Sequence, residues 1–121
     1  MKKITCVYVA GPLNAGAVGY IKNIHRMVMW AEKVRKAGFS VYIPGIDFLA
    51  GVIHGDWEYE DYFNNSQPWL ERADAIFVIP DYEESKGTLR EIERAANLSI
   101  PVFYDIEKLI EAVEEYENIG E

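Results

Sequence analysis

The chain has 121 residues, half of them hydrophobic and 13% aromatic, with 12 Lys and Arg against 20 Asp and Glu for a formal net charge of −8. A chain of this length buries roughly two thirds of its unfolded surface, enough for a core without disulfide or metal staples, which excludes a disordered tail protein. One cysteine (Cys6) and two distant histidines (His25, His54) argue against a disulfide framework and a metal centre, no apolar run reaches a membrane span, and Met1-Lys2-Lys3-Ile4-Thr5 lacks the pattern of a cleaved leader; a cytoplasmic protein with no membrane partner is expected.

Ile4-Thr5-Cys6-Val7-Tyr8-Val9, ended by Gly11-Pro12, reads as a buried strand. A small-residue loop through Asn14 to Gly19 follows. Over 20–37, Ile24, Met27, Val28, Ala31 and Val34 recur at helical spacing, and Gly38 supplies the stop. Within that helix Met27-Val28-Met29-Trp30 is apolar over more than one face, with Met29 and Trp30 off the core stripe, so a buried subunit interface and a homodimer or higher homo-oligomer are expected. Phe39-Ser40-Val41-Tyr42-Ile43 makes a second strand. Residues 44–57 show no period and contain Gly45, Gly51 and Gly55, which predicts a long loop over the sheet edge. Residues 58–73 read as two helices, one ending near Asn64 and one starting near Gln67 with Ser66 as its cap, because Pro68 suits a first turn.

Asp74-Ala75-Ile76-Phe77-Val78-Ile79-Pro80 is apolar almost throughout, as a central parallel strand should be. A helix over 86–97, a fourth strand at Ile100-Pro101-Val102-Phe103-Tyr104 and an amphipathic helix carrying Ile106, Leu109, Ile110, Val113 and Tyr116 complete the chain. The alternation argues for one α/β domain over residues 1–121: a flavodoxin-like three-layer sandwich with a mostly parallel sheet of four or five strands, binding its ligand beyond the strands' carboxyl ends. Residues 1–40 carry seven cations and one acid, whereas the last 17 carry one cation and seven acids. No basic stripe interleaves with aromatics, so a nucleic-acid polymer is not the expected partner.

The strand tips deliver Tyr8 to Asn14, Pro44 to Asp47, Pro80 to Ser85, and Tyr104-Asp105. Gly11, Gly16 and Gly19 fit neither the P-loop nor the dinucleotide spacing, so no cofactor is expected. Ser85-Lys86-Gly87-Thr88-Leu89-Arg90-Glu91 is the informative stretch. Ser85 is a favoured N-cap, the amides of the first turn, Gly87 among them, favour an anion or a sugar hydroxyl, and Gly87 is costly in a helix unless something approaches its backbone. Glu91 shares the stripe Thr88, Glu91, Ala95 and can lean toward the sheet. Trp57, Tyr59 and Tyr62 are candidates to stack on a base, while His54 reads as an ordinary loop histidine.

Val7-Tyr8-Val9-Ala10-Gly11-Pro12, Ala73-Asp74-Ala75-Ile76-Phe77-Val78, and Ser85 to Glu91 followed by Ala95 and Ile100-Pro101-Val102-Phe103 together resemble the nucleoside 2-deoxyribosyltransferase superfamily. That superfamily includes 2'-deoxynucleoside 5'-monophosphate N-glycosidases and small uncharacterised members. The resemblance spans residues 4–104 and implies a nucleoside or nucleoside 5'-monophosphate as small-molecule partner. Glu91 matches the nucleophile that attacks C1' of the sugar, and Tyr8 the tyrosine that holds its carboxylate. Gly11, Pro12, Asn14, Asp47, Asp81, Ser85, Gly87 and Thr88 are the implied substrate-binding positions. Two departures accompany it: Ser66 stands where an acid would assist the leaving base, so Asp47 or Asp81 would have to substitute, and Pro12-Leu13-Asn14 lacks the phosphate-binding Ser and Arg of the hydrolases. The alternative is a non-catalytic nucleotide-binding protein, a sensor or sequestering module.

Overall fold

The computed structural model describes residues 3–13 and 17–120. Four parallel strands, β1 (Cys6–Ala10), β2 (Ser40–Tyr42), β3 (Ala75–Val78) and β4 (Val102–Phe103), form a sheet in the order β2-β1-β3-β4. The connecting helices are α1 (Ala17–Lys36), α2 (Asp47–His54), α3 (Tyr59–Arg72) and α4 (Lys86–Asn97), with α5 (Ile106–Gly120) last. This is the expected flavodoxin-like arrangement.

Strand alternation sorts the core into two layers. Val7, Val9, Ala75, Phe77 and Ile79 face Met27, Ala31 and Val34 of α1 and Leu109 of α5. Tyr8, Ala10, Ile76 and Val78 face Leu70 of α3 and Ala95 of α4. The central strands are buried on both faces, which is why β3 reads as an unbroken apolar run. At the other end of the sheet, Asp74 Oδ2 accepts from the backbone N–H groups of Thr5 and Cys6 at 2.9 and 2.8 Å, tying the start of β3 to the start of β1. The Ala73-Asp74-Ala75 motif therefore does structural work far from the strand tips.

Two expectations are corrected. Residues 44–57 are not a loop: a 3-10 turn at Pro44–Ile46 leads directly into α2, which closes at Gly55 in the left-handed region (φ 94°). Gly51 sits inside that helix because Tyr62 presses on it; a Cβ there would lie 1.8 Å from the Tyr62 hydroxyl. A helix that contacts the protein through a glycine and exposes Leu49, Val52 and Ile53 shows no ordinary amphipathic stripe. Residues 59–72 are likewise one helix, with Pro68 in its interior. Its start is fixed by a capping box between Glu58 and Asp61, and Ser66 is no cap: it is buried and its hydroxyl donates to the Phe63 carbonyl at 3.2 Å. Trp30 also departs from expectation, since its ring packs on core Phe77 with centroids 6.0 Å apart, leaving Met29 as the exposed member of the pair.

Candidate active site

A sheet ordered β2-β1-β3-β4 reverses its winding direction between β1 and β3, and the crevice this leaves at the carboxyl ends is where open α/β sheets bind ligands. A cavity of about 960 Å³ opens there, at the upper end of the usual range for small-molecule sites.

Its floor is built from β1 and α4. Tyr8 lies on the face of β1 that packs against α3 and α4, and α4 turns the stripe Thr88, Glu91, Ala95 toward the same layer. The Tyr8 hydroxyl donates to Glu91 Oε2, so Oε1 is the carboxylate oxygen left for a ligand. Glu91 keeps part of its surface at the cavity while its carboxyl group is enclosed by protein. Burial raises that carboxyl from 4.5 to about 7, against the opposing pull of the Tyr8 hydrogen bond. Burial, and after it the Glu91 charge, pushes the Tyr8 hydroxyl well above its ordinary value, so Tyr8 stays a neutral donor. Ser66 of α3, near the same hydroxyl, pulls the other way and lowers it.

The start of α4 forms one rim. Ser85 is its N-cap: Ser85 Oγ accepts from the Thr88 N–H at 3.2 Å and from the Thr88 hydroxyl at 2.8 Å, which leaves its own proton to donate. Gly87 answers to a neighbour within the fold, for a Cβ there would lie 3.2 Å from the Tyr59 hydroxyl. Gly11 does so more strictly: a Cβ would come within 2.5 Å of Ile79. Both glycines also line the cavity, as do Pro12, Thr88 and Asp81. Asp81 holds a left-handed backbone (φ 64°) just past β3, where Arg26 of α1 donates to the Pro80 carbonyl.

The structure thus brings Tyr8, Gly11, Pro12, Asp81, Ser85, Gly87, Thr88 and Glu91 to one cavity. Asp47 does not line it, because its carboxylate is turned to Tyr42 and Asn65, and Asn14 lies outside the described residues. The opposite wall belongs to α3, which presents Tyr59, Tyr62, Phe63 and Ser66 at successive helical turns. Trp57 stands behind Tyr62, with ring centroids 5.0 Å apart, rather than on the wall. The sequence reading left Phe63 out of this wall although it precedes the expected break near Asn64, and that break took Ser66 off the same helix face. Read as one helix, the spacing 59, 62, 63, 66 is the signal that finds it. Arg26, Lys86 and Arg90 bring three cations to a cavity that also holds Asp81, Glu84 and Glu91.

The parallel sheet, with a tyrosine and a carboxylate paired at its switch point, is a flavodoxin-like domain, the fold also found in 2-deoxyribosyltransferases. Residues 5–104 match the family described as a domain of unknown function, DUF4406; the chain belongs to that family. Among solved structures it is similar to a 2-deoxyribosyltransferase of Bacillus psychrosaccharolyticus, described as a biocatalyst for nucleoside synthesis, at 28% identity over 81% of this chain and 69% of that one, with a TM-score of 0.60. A conserved protein of Enterococcus faecalis V583, 19% identical over 82% of this chain and 61% of its own, shares the fold with a TM-score of 0.59. No curated protein matches the chain.

Proposed function

We propose that the chain, acting as one domain over residues 1–121, is an enzyme that cleaves or transfers the N-glycosidic bond of a nucleoside or nucleoside 5'-monophosphate, with Glu91 as nucleophile. The observation that carries this reading is the Tyr8 hydroxyl on one oxygen of Glu91, at the floor of a cavity of nucleotide size. In the first step the free carboxylate oxygen attacks C1', the C1'–N bond breaks with its electron pair going to the base, and a glycosyl ester of Glu91 forms. In the second, water or another base attacks C1', its proton passes to the carboxylate that protonated the departing base, and the Glu91 carboxylate is released.

The departing base needs a proton. Of the two carboxylates that could replace the acid missing at Ser66, Asp81 is the one on the cavity, so the reading assigns the proton to Asp81. The α3 wall of Tyr59, Tyr62 and Phe63 offers faces for a nucleobase. At the rim, the free proton of Ser85 with Arg26 and Lys86 offers donors to a 5'-phosphate.

The buried Ser66 at the position of the missing acid favours a second reading, a nucleotide-binding protein without turnover. Release of free base from a panel of deoxy- and ribonucleosides and their 5'-monophosphates separates the two. Turnover that Glu91→Gln abolishes supports the enzyme; saturable binding of the same compounds with no base released supports the binding protein.

A further inference from the structure

Asp47 and Tyr42 stand outside the cavity, yet both are tied to its floor. Tyr42 is in register with Tyr8 across the parallel β1–β2 pair, so the two rings project from the same side of the sheet one strand apart. They stack with centroids 5.5 Å apart and planes at 22°. Trp69 of α3 stacks on Tyr42 in turn, at 5.8 Å and 21°. The Tyr42 hydroxyl donates to Asp47 Oδ2 at 3.0 Å, and Asn65 Nδ2 donates to the same oxygen at 3.1 Å. Asp47 is the first residue of α2 and Trp69 lies in α3, so with Tyr8 of β1 three elements converge on Tyr42. Tyr42 is held at both ends, by its ring and by its hydroxyl.

Tyr8 is buried, and its hydroxyl is bonded to the Glu91 carboxylate. A phenol swings about its Cα–Cβ and Cβ–Cγ bonds, and the flat neighbour against its face limits that swing. We propose that Tyr42, fixed by Asp47 and Trp69, is a positioning residue that keeps the Tyr8 hydroxyl on Glu91. Asp47 then acts on the site through two rings rather than by touching substrate. The consequence for turnover rests on Glu91 being the nucleophile; the positioning itself does not.

The test reads the Glu91 carboxyl directly, by NMR of protein carrying 13C-carboxyl glutamate, with Glu91→Gln identifying the signal. The groups facing that carboxyl are Tyr8 from β1 and Tyr42 from β2, with Ser66 of α3 near the Tyr8 hydroxyl. Tyr8→Phe removes the hydrogen bond that favours the ionised form, and raises proton affinity about tenfold, or roughly one pH unit. In a Tyr42→Leu background the same Tyr8→Phe step is expected to shrink to threefold or less, since the hydroxyl is no longer held in place. Any water admitted by the smaller side chain affects both members of that comparison alike, so the step isolates the coupling. Should Tyr42→Leu fail to fold, Trp69→Ala at a half-exposed position removes the outer ring and should shrink the step as well. An undiminished tenfold step in the background that folds overturns the proposal. The free-base assay adds a fall in kcat at steady KM for the same variants. A wild-type chain that releases no base ends the nucleophile reading and leaves the titration result standing.

Discussion

At neutral pH the Glu91 carboxyl is divided between its two protonation states, because burial has lifted it to about 7. Only the ionised form can attack C1', so kcat/KM should rise with pH on a limb centred near 7; a limb near the ordinary carboxylate value would remove Glu91 from that role. Stability carries the opposite sign. The folded chain holds this proton more tightly than the unfolded chain does, so the favourable contribution is complete below about 4.5 and is lost as pH rises through about 7. Above that pH, keeping Glu91 ionised in its enclosed position costs up to roughly 3 kcal/mol. Glu91→Gln carries no such cost: it should melt higher than the wild type at pH 8, and the gap should close toward pH 5. A variant that is less stable at pH 8 contradicts the enclosed carboxyl. The same substitution should remove most turnover while leaving nucleotide binding within about tenfold, since the amide keeps the shape but cannot form the ester.

The elements that set the rims of the cavity make separate predictions. Ser85 both caps α4 and faces the ligand, so Ser85→Ala should lower stability by about 1 kcal/mol and should also erase a roughly tenfold preference for a monophosphate over its nucleoside. The ratio of the two affinities by calorimetry is insensitive to the lost stability, and equal binding in the wild type would move the reading to nucleosides. Gly51→Ala tests the α2–α3 contact. Its methyl would fall on the Tyr62 hydroxyl, so Tyr62 must leave the cavity wall, and both melting temperature and base binding should fall; an unperturbed variant would show that Tyr62 yields freely.

At the scale of the molecule, Val18, Ile21 and Met29 on α1 and Leu49, Val52 and Ile53 on α2 leave large apolar side chains in solvent, an arrangement that favours association. The proposed homo-oligomer should appear by light scattering as a dimer or larger, and Met29→Glu should shift it toward monomer. Trp30→Glu is the wrong probe, since it would disrupt packing on Phe77. A monomeric parent protein ends the proposal.

Much of this architecture is legible in the chain because it depends on neighbours in sequence. The apolar run before Pro80, the 3.6-residue repeat through Met27, Ala31 and Val34, and the Ser85 cap followed by Thr88 are local patterns with local causes. Glu91 could be placed on the inner stripe of α4 on the same grounds. What lay beyond reach was decided by contacts between distant segments. Gly51 within a helix is explained only by the Tyr62 ring above it, and Pro68 is carried inside α3 by a helix whose other turns are packed on the sheet through Leu70. Asp47 belongs to Tyr42 and Asn65 rather than to the cavity. The enclosure that moves Glu91 to about 7 exists only once α4 lies against β1 and Tyr8. Local pattern determined which elements form and which faces they bury. Tertiary packing decided which polar groups meet and how dry their meeting place is, because desolvation and hydrogen-bond partners are properties of the assembled neighbourhood and not of the residue.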